Sequence, residues 1–232
     1  MFSLSGFVNF LSTFVQRRVQ SIPSIPAYLY NVLPRRILSR LHYLVALGVA
    51  RVFRDRSIRI VDLGSGTGSL LLNLARFGYG YLVGIDISRT MCRIARLNAL
   101  LERLYSHVDF IVGDVHNLPF RSRSINCILS TGTLHHIRRP HVLFSEVLRV
   151  LCRGGLALIY EFSYDVSFSE ALASARKLQI TPLLIKTLPI LHGIPRREFI
   201  DGFIASALRA CCRNKYEVSF DGIVTLVKLS YG

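Results

Sequence analysis

Between residues 58 and 162 the chain switches repeatedly between two hydrophobic periods. "IRIVDL", "YLVGID", "VDFIVG", "INCILS" and "LALIYEF" are apolar runs of strand length, while residues 69–77, 88–104 and 140–151 repeat apolar side chains at helical spacing. Strands separated by helices cannot close as hairpins. They line up in parallel, with helices covering both faces. The pattern predicts an α/β fold with a doubly wound, mostly parallel sheet. The end of the chain differs. "YEVSF" and "IVTLVKLS" flank Asp221-Gly222, a hairpin turn dipeptide, so the sheet is expected to finish in an antiparallel pair.

In front of this pattern, residues 1–57 read as an N-terminal helical extension, and residues 58–232 as the α/β domain. Phe2, Leu4, Phe7, Val8, Leu11, Phe14 and Val15 recur at helical spacing with polar residues between them. That stretch is too short and too polar to span a bilayer. It lacks the basic lead and cleavage site of a secretory leader, and reads as an amphipathic helix that packs on the domain or lies on a membrane. "SIPSIPAYLY" breaks it with two prolines, and a second helix is expected from Pro34 through "RRILSRLHYLVALGVARVF". Residues 163–195 look helical and proline-interrupted, an insertion placed to act as a lid, and 196–212 read as one further helix.

The net charge is +15, and no acidic residue precedes Asp55, whereas Arg17, Arg18, Arg35, Arg36, Arg40, Arg51 and Arg54 do. Such a front end suits an anionic partner, RNA or an acidic membrane surface. Five cysteines without a CxxC pair suit reduced cytosolic thiols and give no zinc pattern. The expected location is the cytoplasm, with peripheral membrane contact through residues 1–20.

"VDLGSGTGSL" follows the first strand. A Walker phosphate loop counted from Gly64 needs Gly at the position of Ser69 and then Lys, and a dinucleotide fingerprint needs Gly there too, so the letters fit neither. What stands is an acid followed by three alternating glycines: Asp62, Gly64, Gly66 and Gly68. Glycines let the backbone approach a ligand closely, and Ser69 is placed to cap the next helix. Asp86 ends the second strand, where a carboxylate can accept from both hydroxyls of a ribose, and Ser88 is placed to cap the helix after it. Asp114, after the third strand, can accept from an adenine amino group. Three successive strand ends thus outline a nucleoside pocket with no dedicated phosphate site.

Together "VDLGSGTGSL", "VGIDIS", "GDVHNLPF", "INCILSTGTLHHI" and "EVLRVLCRGGLALIYEF" resemble the seven-stranded methyltransferases that use S-adenosylmethionine. The likeness is strongest to the group holding the quinone-biosynthesis C-methyltransferases and the tRNA wobble-uridine methyltransferases, and it covers residues 58–162. The resemblance implies a Rossmann-like sheet of order 3-2-1-4-5-7-6 with strand seven antiparallel. It implies that Gly64, Ser65, Gly66 and Gly68 line the methionine part of the cofactor, with Asp62 near its amino group. Asp86 and Ile87 would hold the ribose, Asp114 and Val115 the adenine, and Ser130 and Thr131 would lie beside the methyl group. Glu146, Arg149, Gly154 and Gly155 match a structural signature, with Gly-Gly read as a helix cap and turn. Two departures stand out: Asn126 where the family has Asp, suggesting a lost hydrogen-bond partner, and Cys152-Arg153 in place of Lys-Pro.

Methyl transfer is an in-line displacement, so holding the acceptor and excluding water supply much of the catalysis. His135, His136 and Glu161 are candidates for a general base where the acceptor must lose a proton. Two acceptor classes stay open: a small or lipid-like, quinone-type molecule, favoured by the apolar "ITPLLIKTLPILHGIP" and the N-terminal helix, and RNA, favoured by the charge. A non-catalytic cofactor-binding or partner-activating role is a third reading, disfavoured by the intact loop and Asp86.

Overall fold

A computed structural model describes residues 24–181, 193–213 and 215–231. Its centre is one sheet of β1 (Arg59–Leu63), β2 (Tyr81–Asp86), β3 (Val108–Val112), β4 (Ile125–Thr131), β5 (Leu151–Phe162), β6 (Tyr216–Asp221) and β7 (Val224–Ser230). The order is β3-β2-β1-β4-β5-β7-β6. The first five strands pair in parallel, and β7 runs antiparallel to both β5 and β6. The doubly wound sheet read from the two periodicities is therefore the observed one, closing hairpin included.

Strand side chains alternate between two cores. On one face Ile60, Leu82, Phe110, Cys127 and Leu158 pack against α1 (Ser24–Val52), α2 (Ser69–Arg76), α3 (Arg89–Leu101) and α5 (Phe168–Leu178). On the other, Val61, Leu63, Ile85, Ile128, Ala157 and Ile159 pack against α4 (Pro140–Val150), α6 (Arg197–Ile200) and α7 (Phe203–Cys212). Leu41, Val45, Ala46 and Val49 of α1 belong to the first core, as do Ala171, Ala175 and Leu178 of α5. The part of the front segment from Leu38 onward thus shares the hydrophobic core of the sheet, and so does the helix that opens the 163–195 segment.

Several local readings needed correction. Helix α1 starts at Ser24, not Pro34. Pro26 falls in its first turn, where backbone N–H groups have no intrahelical acceptor and proline is tolerated. Ser69 does not cap α2; Gly68, at φ 82°, holds that position without a side-chain bond. Residues 196–212 are two helices, because Gly202 takes an extended ψ of −157° and Glu198 Oε2 accepts from Phe203 N at 2.9 Å, restarting the helix. Gly154-Gly155 is no helix cap. Leu151 caps α4, while Gly154 lies inside β5 at φ 74° and donates to Tyr231 O at 2.8 Å. Ser88 does cap α3, accepting from Met91 N.

Glu146 and Arg149 of α4 clamp the loop after β3. Glu146 Oε2 accepts from Leu118 N at 2.7 Å, and Arg149 donates to the carbonyls of Leu118 and Phe120 at 2.9 Å each. Asn126 has not lost its partner: its Oδ1 accepts from Arg59 N at 3.0 Å, tying β4 to the start of β1. The proposed amphipathic helix at the N-terminus, Arg17, Arg18, the side chains of Arg35 and Arg36, and residues 182–192 lie outside the described residues. No described helix is long and apolar enough to cross a membrane.

Candidate active site

The glycine loop runs from the carboxyl end of β1 into α2, the position where open α/β sheets bind ligands. Gly64, Gly66 and Gly68 all adopt left-handed backbone, with φ of 69°, 51° and 82°. Only glycine takes this region without strain, which explains their alternation. Their surroundings differ. A Cβ on Gly64 would lie 2.3 Å from Thr133 Oγ1, and one on Gly68 would lie 2.5 Å from Phe110. A Cβ on Gly66 would meet nothing within 4 Å. Gly64 and Gly68 are therefore glycine for packing, and Gly66 alone faces open space.

Asp86 fixes this loop from the neighbouring strand. Its Oδ2 accepts from Gly66 N at 2.9 Å and its Oδ1 from Ser88 N at 2.8 Å. The backbone N–H groups of Gly64 and Ser65 both donate to Ile85 O, at 2.8 and 3.0 Å. Burial raises the pKa of Asp86, offset in part by these backbone bonds. Asp62, 2% exposed, is raised well above the usual carboxylate range, first by burial and then by the charge of Asp86. Its Oδ1 and the hydroxyl of Ser65 are buried without a hydrogen-bond partner. Among the described residues neither acid forms an ion pair. Burial opposes the charged form of both acids; a bound cation would favour that form, and a pyrophosphate would not.

The other predicted residues fall around this loop. Ile87 is 44% exposed beside Asp86, and Val115 is buried after β3. Asp114 is exposed and its Oδ1 accepts from His116 N and the His116 ring. Burial acts to raise its pKa, but those two bonds prevail and hold it below the usual range. Ser130 is buried and its hydroxyl is spent on Leu63 O at 2.9 Å, bracing β4 against the loop. Thr131 meets His42 of α1, Oγ1 to Nε2, at 3.1 Å.

His135 and Glu161 come together in the core. Glu161 Oε2 accepts from His135 N at 3.0 Å and lies 3.1 Å from His135 Nδ1, while Oε1 accepts from Phe162 N at 2.8 Å. Their side chains are 2% and 0% exposed. The His136 ring lies tilted against that of His135, centroids 4.0 Å apart, and is half-buried.

Sequence reasoning overlooked His42, His116 and Thr133. Thr133 carries the one detectable signal, a hydroxyl residue just after "LSTG". His42 sits in a helix whose partner strand is 89 residues away. A cavity of about 130 Å³ between α1, α5 and the β5–β7 strands is lined by Leu41, Leu44, Val45, Tyr160, Leu178 and Val224 among others. A larger hollow, about 440 Å³, lies at the amino ends of β1–β3, among Arg59, Tyr81, His107 and Arg121, away from the glycine loop.

Comparison with known proteins agrees with this geometry. A methyltransferase domain family matches residues 61–159. The demethylmenaquinone methyltransferase of Porphyromonas gingivalis is 29% identical over 140 residues, 56% of this chain and 57% of that protein. A ubiquinone/menaquinone biosynthesis C-methyltransferase of Ruegeria is 25% identical over 63% of this chain and 59% of its own length. The malonyl-[acyl-carrier protein] O-methyltransferase of Geobacter sulfurreducens is 32% identical over 72% of this chain and 55% of its own. The chain thus spans less than two thirds of the length of these relatives. A provisionally named S-adenosyl-L-methionine-dependent methyltransferase of Methanococcus maripaludis shares the fold at a TM-score of 0.75 and 20% identity, covering 92% of this chain and 95% of that one.

Proposed function

We propose that this chain, whose residues 61–159 match a methyltransferase domain family, transfers a methyl group from S-adenosylmethionine to a small or lipid-like, quinone-type acceptor. The observation that carries the cofactor assignment is the left-handed glycine loop, open at Gly66 and tied there to Asp86, with Asp62 Oδ1 buried and without a partner. When bound, S-adenosylmethionine supplies a methyl group on a positively charged sulfonium. The residues fit its cationic end: Asp62 offers the orphaned Oδ1, and Gly66 leaves room for close approach. Gly64, Ser65 and Gly68 shape the turn that presents Gly66. Asp86, with Ile87 beside it, suits the ribose, and Asp114 with Val115 the adenine. Ser130 acts by bracing the loop, and Thr131 stands on the acceptor side. Glu161 and His135 are positioning residues in this proposal. Their mutual bonds staple the 132–137 turn onto the end of β5, with both side chains shut off from solvent. His136, half-buried on the same turn, remains the candidate of the three that solvent reaches.

The quinone-type acceptor rests on the names of two relatives. Residues 163–195 as a lid and residues 1–20 as a membrane contact extend the same reading. A second reading, an RNA acceptor, is favoured by the net charge of +15. Two measurements test the proposal. Calorimetry should show binding of S-adenosylhomocysteine and none of NADH. Labelled methyl groups should pass to a quinol-containing lipid extract and not to total RNA. Label on RNA, with affinity falling steeply with salt by about 0.7 logarithmic units per phosphate contact, would select the second reading.

A further inference from the structure

The loop after β3 is tied to the glycine cradle through Asp86. The Asp86 carboxylate holds Gly66, and its carbonyl oxygen accepts from Gly113 N at 3.0 Å. Asp114 follows directly, with a side chain 50% exposed. A carboxylate that open turns easily about its last torsion unless something holds it. His116 does so. Its backbone N–H donates to Asp114 Oδ1 at 2.9 Å, and its ring Nδ1 lies 2.6 Å from the same oxygen. The partner decides which ring nitrogen carries the proton. Burial pulls the pKa of Asp114 upward, but the bonds from His116 outweigh it and keep the carboxyl ionised at pH 7. An ionised carboxylate only accepts, so Nδ1 must donate. Two donors then fill the lone pairs of Oδ1, while Oδ2 has no hydrogen bond among the described residues. A turn at Asp114 needs only the backbone N–H. The ring, 8% exposed, adds a second bond although that leaves Nε2 buried without a partner among the described residues. What the ring contributes is therefore the orientation of the carboxylate.

We propose that His116 is a positioning residue for the cofactor's purine: by occupying Oδ1 of Asp114 it leaves Oδ2 as a single, fixed acceptor for the 6-amino group. This rests on the reading that Asp114 faces the adenine of S-adenosylmethionine. A fixed, ionised oxygen acts in two ways. It accepts from the exocyclic N–H of a 6-aminopurine, and it repels the carbonyl oxygen of a 6-oxopurine, which brings a second acceptor to the same place. A carboxylate free to turn escapes that repulsion. The ring of His116 thus supplies selectivity between purines without touching the ligand.

The test compares S-adenosylhomocysteine with S-inosylhomocysteine, its 6-oxo analogue, by calorimetric titration into the full chain. The unsubstituted chain should prefer the amino form by at least about tenfold, the worth of one hydrogen bond to a charged group. His116→Leu leaves Asp114 only the backbone bond, and ordering one side chain on binding corresponds to about two- to tenfold in affinity. That variant should bind S-adenosylhomocysteine more weakly by this factor and discriminate less between the two ligands. His116→Asn, whose amide carries an N–H at the δ position, should restore both, which a space-filling role of the ring would not. In the unsubstituted chain, ¹⁵N spectra at pH 7 should show Nδ1 of His116 as a protonated nitrogen, a readout independent of whether a variant folds. An unprotonated Nδ1, equal binding of the two ligands, full discrimination in His116→Leu, or no recovery in His116→Asn would each overturn the proposal. These failures leave the methyl-transfer reading standing while S-adenosylhomocysteine binds and Asp86→Asn weakens it. No binding of S-adenosylhomocysteine to the unsubstituted chain would remove that reading and the proposal together.

Discussion

Replacing each of two loop glycines by alanine separates packing from ligand contact. Gly66→Ala places a methyl group in open space, so its stability cost is only that of a left-handed alanine, about 1–2 kcal/mol. Gly68→Ala carries the same backbone cost and also drives a Cβ to 2.5 Å from the buried ring of Phe110. Overpacking of that kind adds about 1–3 kcal/mol. For a chain of this size each kcal/mol lowers the melting temperature by about 2–4 °C. Gly66→Ala should therefore lose about 2–8 °C, and Gly68→Ala about 4–20 °C. Binding should run in the opposite order. The space that costs Gly66→Ala nothing in the free protein is the space assigned to the cofactor, so S-adenosylhomocysteine should bind at least about tenfold more weakly. Gly68→Ala, measured well below its melting temperature, should keep most of its affinity, because its new methyl group points into the core. Calorimetric titration and thermal melts on the same samples give both numbers. Full affinity in Gly66→Ala, or a larger loss in Gly68→Ala, would refute the assignment of the open side of the loop.

Asp86→Asn keeps the shape but turns one carboxylate oxygen into a donor facing the N–H of Gly66 or Ser88. Affinity for S-adenosylhomocysteine should fall at least about tenfold, the loss of one charge-assisted bond, as read by calorimetry. Glu161→Gln should cost about 1–3 kcal/mol in urea unfolding, since one of the buried N–H groups of His135 or Phe162 then faces an amide NH₂; S-adenosylhomocysteine binding should not change. His42 has a folded pKa of about 4, below its ordinary 6.5, so the unfolded chain binds more protons between those values. Its contribution to stability is therefore lost as pH falls from about 6.5 toward 4, and the urea midpoint should drop less over that range in His42→Phe than in the unsubstituted chain.

What could be read without coordinates was whatever lives on one short segment. Period-2 and period-3.6 runs place strands and helices, and alternate glycines announce a left-handed loop whichever ligand it serves. Fine cap positions were less legible, because Ser69 and Gly154-Gly155 satisfy the same letter patterns as true caps while the neighbouring strand decides their conformation. Asp86 was legible as an acid at a strand end but not as the anchor of Gly66, because that bond crosses from β2 to β1 and depends on the register Asp62 to Gly84. Glu161 and His135 show the same limit from the other side. As letters they are an acid and a base near a strand end, a catalytic pair. In space each is closed off by the other and by backbone donors, which a one-dimensional pattern cannot express. His42 is the converse case. It occupies an inward position of a helix, where periodicity counts it as core, and its meaning comes only from a hydroxyl brought to it by β4. A polar residue on an apolar helical face is thus uninformative until its partner is known, and informative once one ring nitrogen is found bonded to the strand end near the glycine loop while the other has no partner among the described residues.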